Sequence, residues 1–394
     1  MTAQNNFMDI SKAKVAWLVP SASSGGHYGP ILTKLSAWFE KSIFFTGRAW
    51  PDYNKVPLKN AEIKIVGHTK VVSLSQNQGY GRNLVFASPT IIPELVSYRP
   101  HIIIANGFSI WTMICLLLKP FFRWKVIVLF DGISPSTSFT DSKVRLLVRR
   151  LMSEAIDAFV TNTRAASDYC SEVLNIGRDR ILYKTYIVPS AHALSDLDTA
   201  LEANLAVETK DLKILYVGQL ISRKGVQQLV EACSILTAKG LTNYSLTIVG
   251  DGEEKAALEA AASQWGIDHQ VIFTGWLDYS EIGKYFKSAD AFVLPTFEDT
   301  WGAVVLEAMA FGAPVVCSKL AGASEVVIEG RNGFVFDPHN ANELAEKLAM
   351  LLESKYLVES MSEQAKKTAA EHSLEDVAEF FAELSGRLLS ASRR

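Results

Sequence analysis

Short, nearly unbroken apolar runs alternate along most of the chain with stretches of helical period. In the first half the runs are VAWLVP (15–20), SIFFTG (42–47), IKIVG (63–67), HIIIAN (101–106), KVIVLF (125–130) and AFVTN (158–162). Such runs fit strands covered on both faces. Helical segments separate several of them, among them Pro30–Glu40 and Ser142–Ile156. The series restarts in the second half with KILYVG (213–218), YSLTIVG (244–250), QVIFTG (270–275), DAFVLP (290–295) and PVVCS (314–318). Val226–Ala238 and Glu253–Gln264 are helical stretches between them. This alternation predicts βαβ units with parallel sheets, repeated twice. The polar, acid-rich stretch Ala191–Asp211 has no strand pattern and reads as the linker. The expected domains are residues 12–190 and 211–372, followed by a C-terminal helix within 373–394. That helix is entered through Ser373, carries Glu375 and Asp376 in its first turn as suits a helix N-terminus, and is expected to pack back toward the first domain.

Ile102–Leu118 tests this picture, because its apolar length touches the lower limit of about 17 residues for a membrane span. The Asn106-Gly107 turn divides it into a buried strand and a buried helix, the latter expected to end at Lys119-Pro120. The length of 394 residues suits two cores, and a 48% hydrophobic, 21% charged composition is that of a folded globular chain. A net charge of −3 gives no overall pull toward nucleic acid. Cys115, Cys170, Cys233 and Cys317 have no C-x-x-C spacing and read as reduced thiols of a cytoplasmic protein. Met1–Asp9 shows no signal-peptide pattern.

Chemistry concentrates in LPTFEDTWGAVVLEAMAFGAPVV (294–316). A strand ends at Leu294-Pro295, a loop carries Glu298, Asp299 and Thr300, and a helix is expected from about Gly302-Ala303. From Trp301 to Val316 the only charged residue is Glu307. A carboxylate on so apolar a helix must be paired, solvated by a cleft or bound to a ligand, because unpaired burial is costly. Open N–H groups at a helix start, with the dipole behind them, attract a diphosphate. Asp299 and Glu307 would flank such an anion and accept hydrogen bonds from sugar hydroxyls.

Three further strand–turn–helix segments are candidates. In YVGQLISRKGVQQLVEA (216–232), Arg223 and Lys224 follow a strand's carboxyl end, where open α/β sheets bind ligands. They could hold phosphates, or be an ordinary solvated pair. In IVGDGEEKAALEA (248–260), Gly250 and Gly252 permit close backbone approach, and Glu253 and Glu254 suit the first helical turn. VPSASSGGHYGPIL (19–32) offers Ser24, Gly26 and Gly29 against the dinucleotide fingerprint, so the first glycine is missing. The next strand ends SIFFTGR without an acidic residue, so NAD is a poor fit. A glycine-rich loop around Gly25 and Gly26, facing an interdomain cleft, fits better.

On these motifs the second half resembles the donor-binding domain of the family-4 retaining glycosyltransferases of GT-B fold (glycosyl transferases group 1). The family pattern of G-R-L…K-G, V-G-x-G and E-x-F-G-x-x-x-x-E-A-M-A-x-G-x-P-V-V is followed from about Lys213 to Pro338. The resemblance implies two Rossmann-like domains facing a cleft, the first binding the acceptor and the second a nucleotide-diphosphate sugar. It implies that Glu307 binds the nucleotide ribose and Lys224 the diphosphate, and that the backbone of Thr300, Trp301, Gly302, Ala303 and Val304 contacts sugar and phosphate. Several positions depart from the family. The arginine of G-R-L is Gln219 here, so Arg223 is a candidate to supply that charge. The first carboxylate of the E-x7-E pair falls on Asp299, with Glu298 beside it. An N-domain catalytic histidine aligns with Asp131, leaving the acceptor-side chemistry open. No DxD closes a strand, so no Mg²⁺ or Mn²⁺ is expected, and no cofactor beyond the donor.

The expected activity is transfer of a sugar, with retention, to a saccharide or lipid-linked acceptor in cell-surface polysaccharide or glycolipid synthesis. The alternatives are a nucleotide-sugar epimerase or phosphorylase, and a non-catalytic sugar-nucleotide-binding protein of the same fold. Lys119, Arg123, Trp124 and Lys125 surround Phe121-Phe122, and Lys143, Arg145, Arg149 and Arg150 load one helical region. Cations among aromatics suit the anionic inner face of a cell membrane; a solvated basic helix over core aromatics is the other reading.

Overall fold

The computed structural model describes residues 10–20, 25–49, 60–73, 83–189 and 211–391. Met1–Asp9, Ser24 and residues 191–210 of the expected linker lie outside the described residues. The chain forms two compact units, Met1–Ile187 joined by Ser373–Arg394, and Val188–His372.

The first unit is built on a parallel sheet of order β3-β2-β1-β6-β7-β8-β9. Its strands are β1 (Lys14–Val19), β2 (Lys41–Thr46), β3 (Ala61–Ile65), β6 (Ile102–Asn106), β7 (Lys125–Phe130), β8 (Ala158–Thr161) and β9 (Ile181–Tyr183). A separate antiparallel pair joins β4 (Thr69–Ser73) to β5 (Asn83–Ala87). The apolar runs are strands for the expected physical reason. Ile102, Ile103, Ile104 and Ala105 on β6, and Val126 to Leu129 on β7, are buried whichever face they point to.

The helices of this unit are α1 (Gly25–Ser36), α2 (Ile91–Tyr98), α3 (Ile110–Phe122), α4 (Pro135–Ser138), α5 (Lys143–Ala155) and α6 (Arg164–Asp168). The stretch considered as a span is thus a strand, a turn and a helix. Among the described residues no helix is long and apolar enough to cross a membrane. Ser109 caps α3 by accepting the Thr112 N–H at 3.1 Å. Contrary to expectation, α3 does not stop at Lys119-Pro120 but runs through Pro120 to Phe122. Proline there removes a single backbone donor, and Arg123, left-handed at φ 56°, closes the helix with its N–H on the Lys119 carbonyl.

The second unit is a six-stranded parallel sheet of order β12-β11-β10-β13-β14-β15. Its strands are β10 (Leu212–Val217), β11 (Tyr244–Val249), β12 (Val271–Gly275), β13 (Ala291–Leu294), β14 (Val315–Ser318) and β15 (Gly333–Phe336). The helices are α7 (Val226–Ala238), α8 (Lys255–Gln264), α9 (Tyr279–Ser288), α10 (Val304–Ala310), α11 (Ala341–Glu353) and α12 (Lys355–Ala370). From β10 the chain winds outward to β12, then returns to the other side of β10 to lay down β13. This reversal opens a crevice at the carboxyl ends of β10 and β13, where sheets of this kind bind ligands.

The last helix, α13 (Leu374–Ala391), belongs to the first unit and packs on α1. Phe381 meets the Trp17 ring edge-on at 6.0 Å and the Tyr186 ring at 6.3 Å. Lys34 and Glu375 form an ion pair at the helix entrance.

Candidate active site

Three loops converge at the reversal point of the second sheet. The first follows β10 and runs from Gly218 through a 3-10 turn at Ser222–Lys224 into α7. Gly225 closes that turn at φ 65°, and a Cβ there would lie 2.1 Å from the Pro295 carbonyl oxygen. Only glycine lets the two loops approach so closely. The second loop follows β13 and is bonded to the first. The Phe297 N–H donates to the Arg223 carbonyl at 2.8 Å, and the Arg223 guanidinium to the Glu298 carbonyl at 3.2 Å. The wholly buried Thr296 hydroxyl lies 2.9 Å from the Arg223 carbonyl and 3.0 Å from that of Glu298. A hydroxyl carries one proton and serves one acceptor at a time.

This stitching brings the Lys224 ammonium onto the Asp299 carboxylate in an ion pair, the side chains being 16% and 8% exposed. The other Asp299 oxygen accepts the Trp301 N–H at 3.4 Å. Asp299 is fixed from behind as well, because it pairs with Ala321 as an isolated parallel bridge and its carbonyl accepts the Gly322 N–H at 3.1 Å. The loop ends at Gly302, φ 96°, and α10 begins at Val304 rather than at Gly302-Ala303. Ala303 is the N-cap, and Glu307 is buried in the first turn. The opening turn of a helix leaves its first N–H groups without intrahelical acceptors.

The third loop, after β11, supports the first. A Cβ on Gly250 would sit 1.9 Å from the Gly218 carbonyl oxygen, and one on Gly252 2.3 Å from that of Leu220. The Glu254 N–H donates to the Leu220 carbonyl at 3.0 Å. Burial, then the charge of Glu253, raises the Glu254 carboxyl above its ordinary value, while a bond from Ser222 opposes the shift. The Tyr216 hydroxyl donates to the Gln219 carbonyl at 2.8 Å. Burial first, and the nearby Asp299 charge second, push that phenol far above its usual range. It stays neutral and serves as a donor that shapes the loop.

Of the residues singled out in the sequence, the second unit therefore collects Gln219, Arg223, Lys224, Gly250, Asp299, Thr300, Trp301, Gly302, Ala303, Val304 and Glu307 around one crevice. Gly25, Gly26 and Asp131 lie in the first unit. Gly25 and Gly26 form the first turn of α1 rather than a loop. Asp131 follows β7, where the Tyr186 hydroxyl donates to one carboxylate oxygen and the Asn106 amide to the other at 3.4 Å. Thr296, Tyr216 and the 319–322 loop were not singled out. Thr296 could have been noticed as a polar residue between an apolar strand and the carboxylates. The 319–322 loop has no local signal of this kind, since it acts through its backbone.

Among the described residues no group of three or more His, Cys, Asp or Glu side chains is placed to hold a metal ion. All four cysteines are buried and unbridged, and burial pushes the thiols of Cys170 and Cys233 up to about 12. We expect Gly225→Ala to cost about 2 kcal/mol or more in urea unfolding, since a left-handed alanine adds its own strain to the displaced carbonyl. Unchanged stability would show that the loops separate easily.

Residues 198–368 match the family described as glycosyl transferases group 1. An uncharacterized glycosyltransferase of Methanocaldococcus jannaschii is 33% identical over 168 residues, 43% of either chain. The alpha-D-kanosaminyltransferase of Streptomyces kanamyceticus is 32% identical over 162 residues, 41% of this chain and 42% of that one. The chain thus spans less than half the length of these two relatives. Whole-chain likeness comes from solved structures. The Anabaena HepE structure with UDP and glucose gives a TM-score of 0.73 at 17% identity, covering 94% of this chain and 99% of that one. Sucrose-phosphate synthase from Thermosynechococcus elongatus gives 0.71 at 18%, covering 96% and 100%. The fold is that of the GT-B glycosyltransferases, two Rossmann-like α/β domains with parallel sheets. The match to the group 1 glycosyl transferases falls within the second unit.

Proposed function

We propose that the chain is a glycosyltransferase that takes a sugar from a nucleoside diphosphate and passes it, with retention of configuration and without a metal ion, to a saccharide or lipid-linked saccharide. The observation that carries this reading is the Lys224–Asp299 pair beside Arg223 at the reversal point of the second sheet. Breaking the bond between sugar and diphosphate leaves negative charge on the departing oxygen. Cations held in place beforehand stabilise that charge without reorganising as it develops. Lys224 and Arg223 fill this role, assisted by N–H groups at the start of α10. Glu307 would accept the ribose hydroxyls and Asp299 a hydroxyl of the transferred sugar. In the first unit, Asp131 would meet the acceptor, its carboxylate oriented by Tyr186 and Asn106.

The kanosaminyltransferase supports this reading through its activity, and HepE through the UDP and glucose bound in its crystal structure. The test is a thermal-shift screen of nucleoside diphosphates and their sugars, followed by transfer assays with and without EDTA. A matching donor at a hundredfold excess over Kd should stabilise the protein by about 2.7 kcal/mol. Transfer should survive EDTA, with the product's anomeric configuration matching the donor's by NMR. A strict need for added Mn²⁺ or Mg²⁺, or an inverted product, would sink the mechanism. Binding without transfer or hydrolysis would favour the non-catalytic reading.

A further inference from the structure

Helix α5 has apolar residues on two sides: Leu146, Met152 and Ala155 pack inward on the core, and a second apolar set is exposed. Arg149, one of the four cations that load it, turns inward: its guanidinium lies over the Phe108 ring at 5.3 Å and the Phe139 ring at 4.8 Å and donates to the Tyr169 hydroxyl at 2.8 Å. Ser153, on the same face one turn later, is buried and donates to the Arg149 carbonyl at 2.7 Å. The side left to the solvent carries Val144, Leu147, Val148 and Leu151, of which Val144 is 72% and Leu151 64% exposed. Their spacing of three, four and seven residues makes one apolar stripe. At 100° per residue, Lys143 and Arg150 fall along one margin of that stripe.

The neighbouring helix continues this surface. α3 and α5 belong to successive crossovers, β6 to β7 and β7 to β8, that step in one direction across the sheet. Right-handed crossovers therefore lay both helices on the same face. The Lys119 ammonium, near the end of α3, donates to the Ala155 carbonyl at the end of α5 and pairs with Asp157, both at 2.6 Å. On the outer side of α3, Leu117 is 67% and Phe121 81% exposed. Isolated exposed leucines are ordinary, but an apolar stripe on two adjacent helices marks a contact surface.

We propose that this face docks on an anionic lipid bilayer. The charge balance chooses the partner. α5 has four cations and a single carboxylate, Glu154, and α3 has no carboxylate. A second copy related by a two-fold axis would set the cationic patch of Lys143, Arg145 and Arg150 against the same patch of its partner. A bilayer with anionic headgroups accepts both components, the apolar residues entering the acyl boundary and the cations meeting phosphates. At 13 residues α5 is about 20 Å long, which suits a helix lying along the interface.

Flotation of the full chain with vesicles of phosphatidylcholine alone, and of phosphatidylcholine mixed with phosphatidylglycerol, tests this without any need for transferase activity. The parent should bind the anionic vesicles roughly tenfold or more tightly than the neutral ones. Leu147→Glu with Leu151→Glu should lose at least about tenfold of that binding while melting temperature and nucleoside diphosphate affinity hold. Lys143→Gln with Arg150→Gln should reduce the salt dependence. Absence of vesicle binding by the parent, or unaltered binding by the leucine variant, overturns the proposal. So does a lipid-free dimer in sedimentation velocity that the leucine variant abolishes, which would assign the face to a second copy.

Discussion

Lys224→Met is expected to destabilise the protein by about 3–5 kcal/mol, because it strands the Asp299 carboxylate in a site where it is 8% exposed. It should also weaken nucleoside diphosphate binding roughly tenfold to a hundredfold, the usual worth of a hydrogen bond to a charged group. The two effects separate in the double variant Lys224→Met with Asp299→Leu. Removing both charges takes away the uncompensated burial, so most of the stability should return in urea unfolding. Binding, followed by calorimetric titration, should not return. If the double variant regains both, Lys224 serves the loop and not the ligand.

Asp299→Asn should have the opposite profile, with kcat/KM for the intact donor falling on the order of a hundredfold and affinity for the free nucleoside diphosphate undiminished. The carboxylate is positioned by Lys224 on one oxygen and by the Trp301 N–H on the other, so it is aimed rather than merely present. It also competes with an incoming phosphate for the same ammonium, so neutralising it leaves the cation to the ligand. Glu298→Gln should stay near the parent, since the contacts joining Glu298 to Arg223 and Thr296 are made by its backbone carbonyl and N–H. Asp is one methylene shorter than the glutamate of the family pattern, a reach about 1.5 Å less. The closure of its loop on Leu320, Ala321 and Gly322 is the feature that holds the shorter side chain in place. The reverse ranking of the two variants would move the role to Glu298.

Strands such as 102–106 and 125–130 were legible in the sequence because burial on both faces leaves no polar alternation to interpret, while the part-exposed β3 and β12 were legible from their apolar runs alone. The elements that were not legible draw their order from distant partners. β15 is the short GFVF segment, β9 is three residues of an edge strand, and β4 and β5 are fixed by pairing with each other. In the site, Glu307 was visible as one charge in an apolar run. Lys224 and Asp299 were each visible too, but their pairing spans 75 positions and depends on Gly225 clearing the Pro295 carbonyl. Counting cations on α5 could not show that Arg149 turns inward. The rings that draw Arg149 inward, Phe108 and Tyr169, come from other segments.

The return of α13 to the first unit has a consequence for how the chain is made. Val377, Phe381, Leu384 and Leu389 of this helix are buried, and Phe381 covers Trp17 on the first strand of the sheet. Domains generally fold as units, N-terminal first, as they leave the ribosome. Here that order is interrupted: β1 precedes the whole second unit in the sequence, and the helix that covers it follows that unit. The second unit, continuous in sequence, is inserted between the first unit's sheet and its covering helix and so is synthesised before that helix. Until α13 has been made the nascent first unit presents an uncovered apolar seam at Trp17, which makes synthesis of the whole second unit a precondition for completing the first.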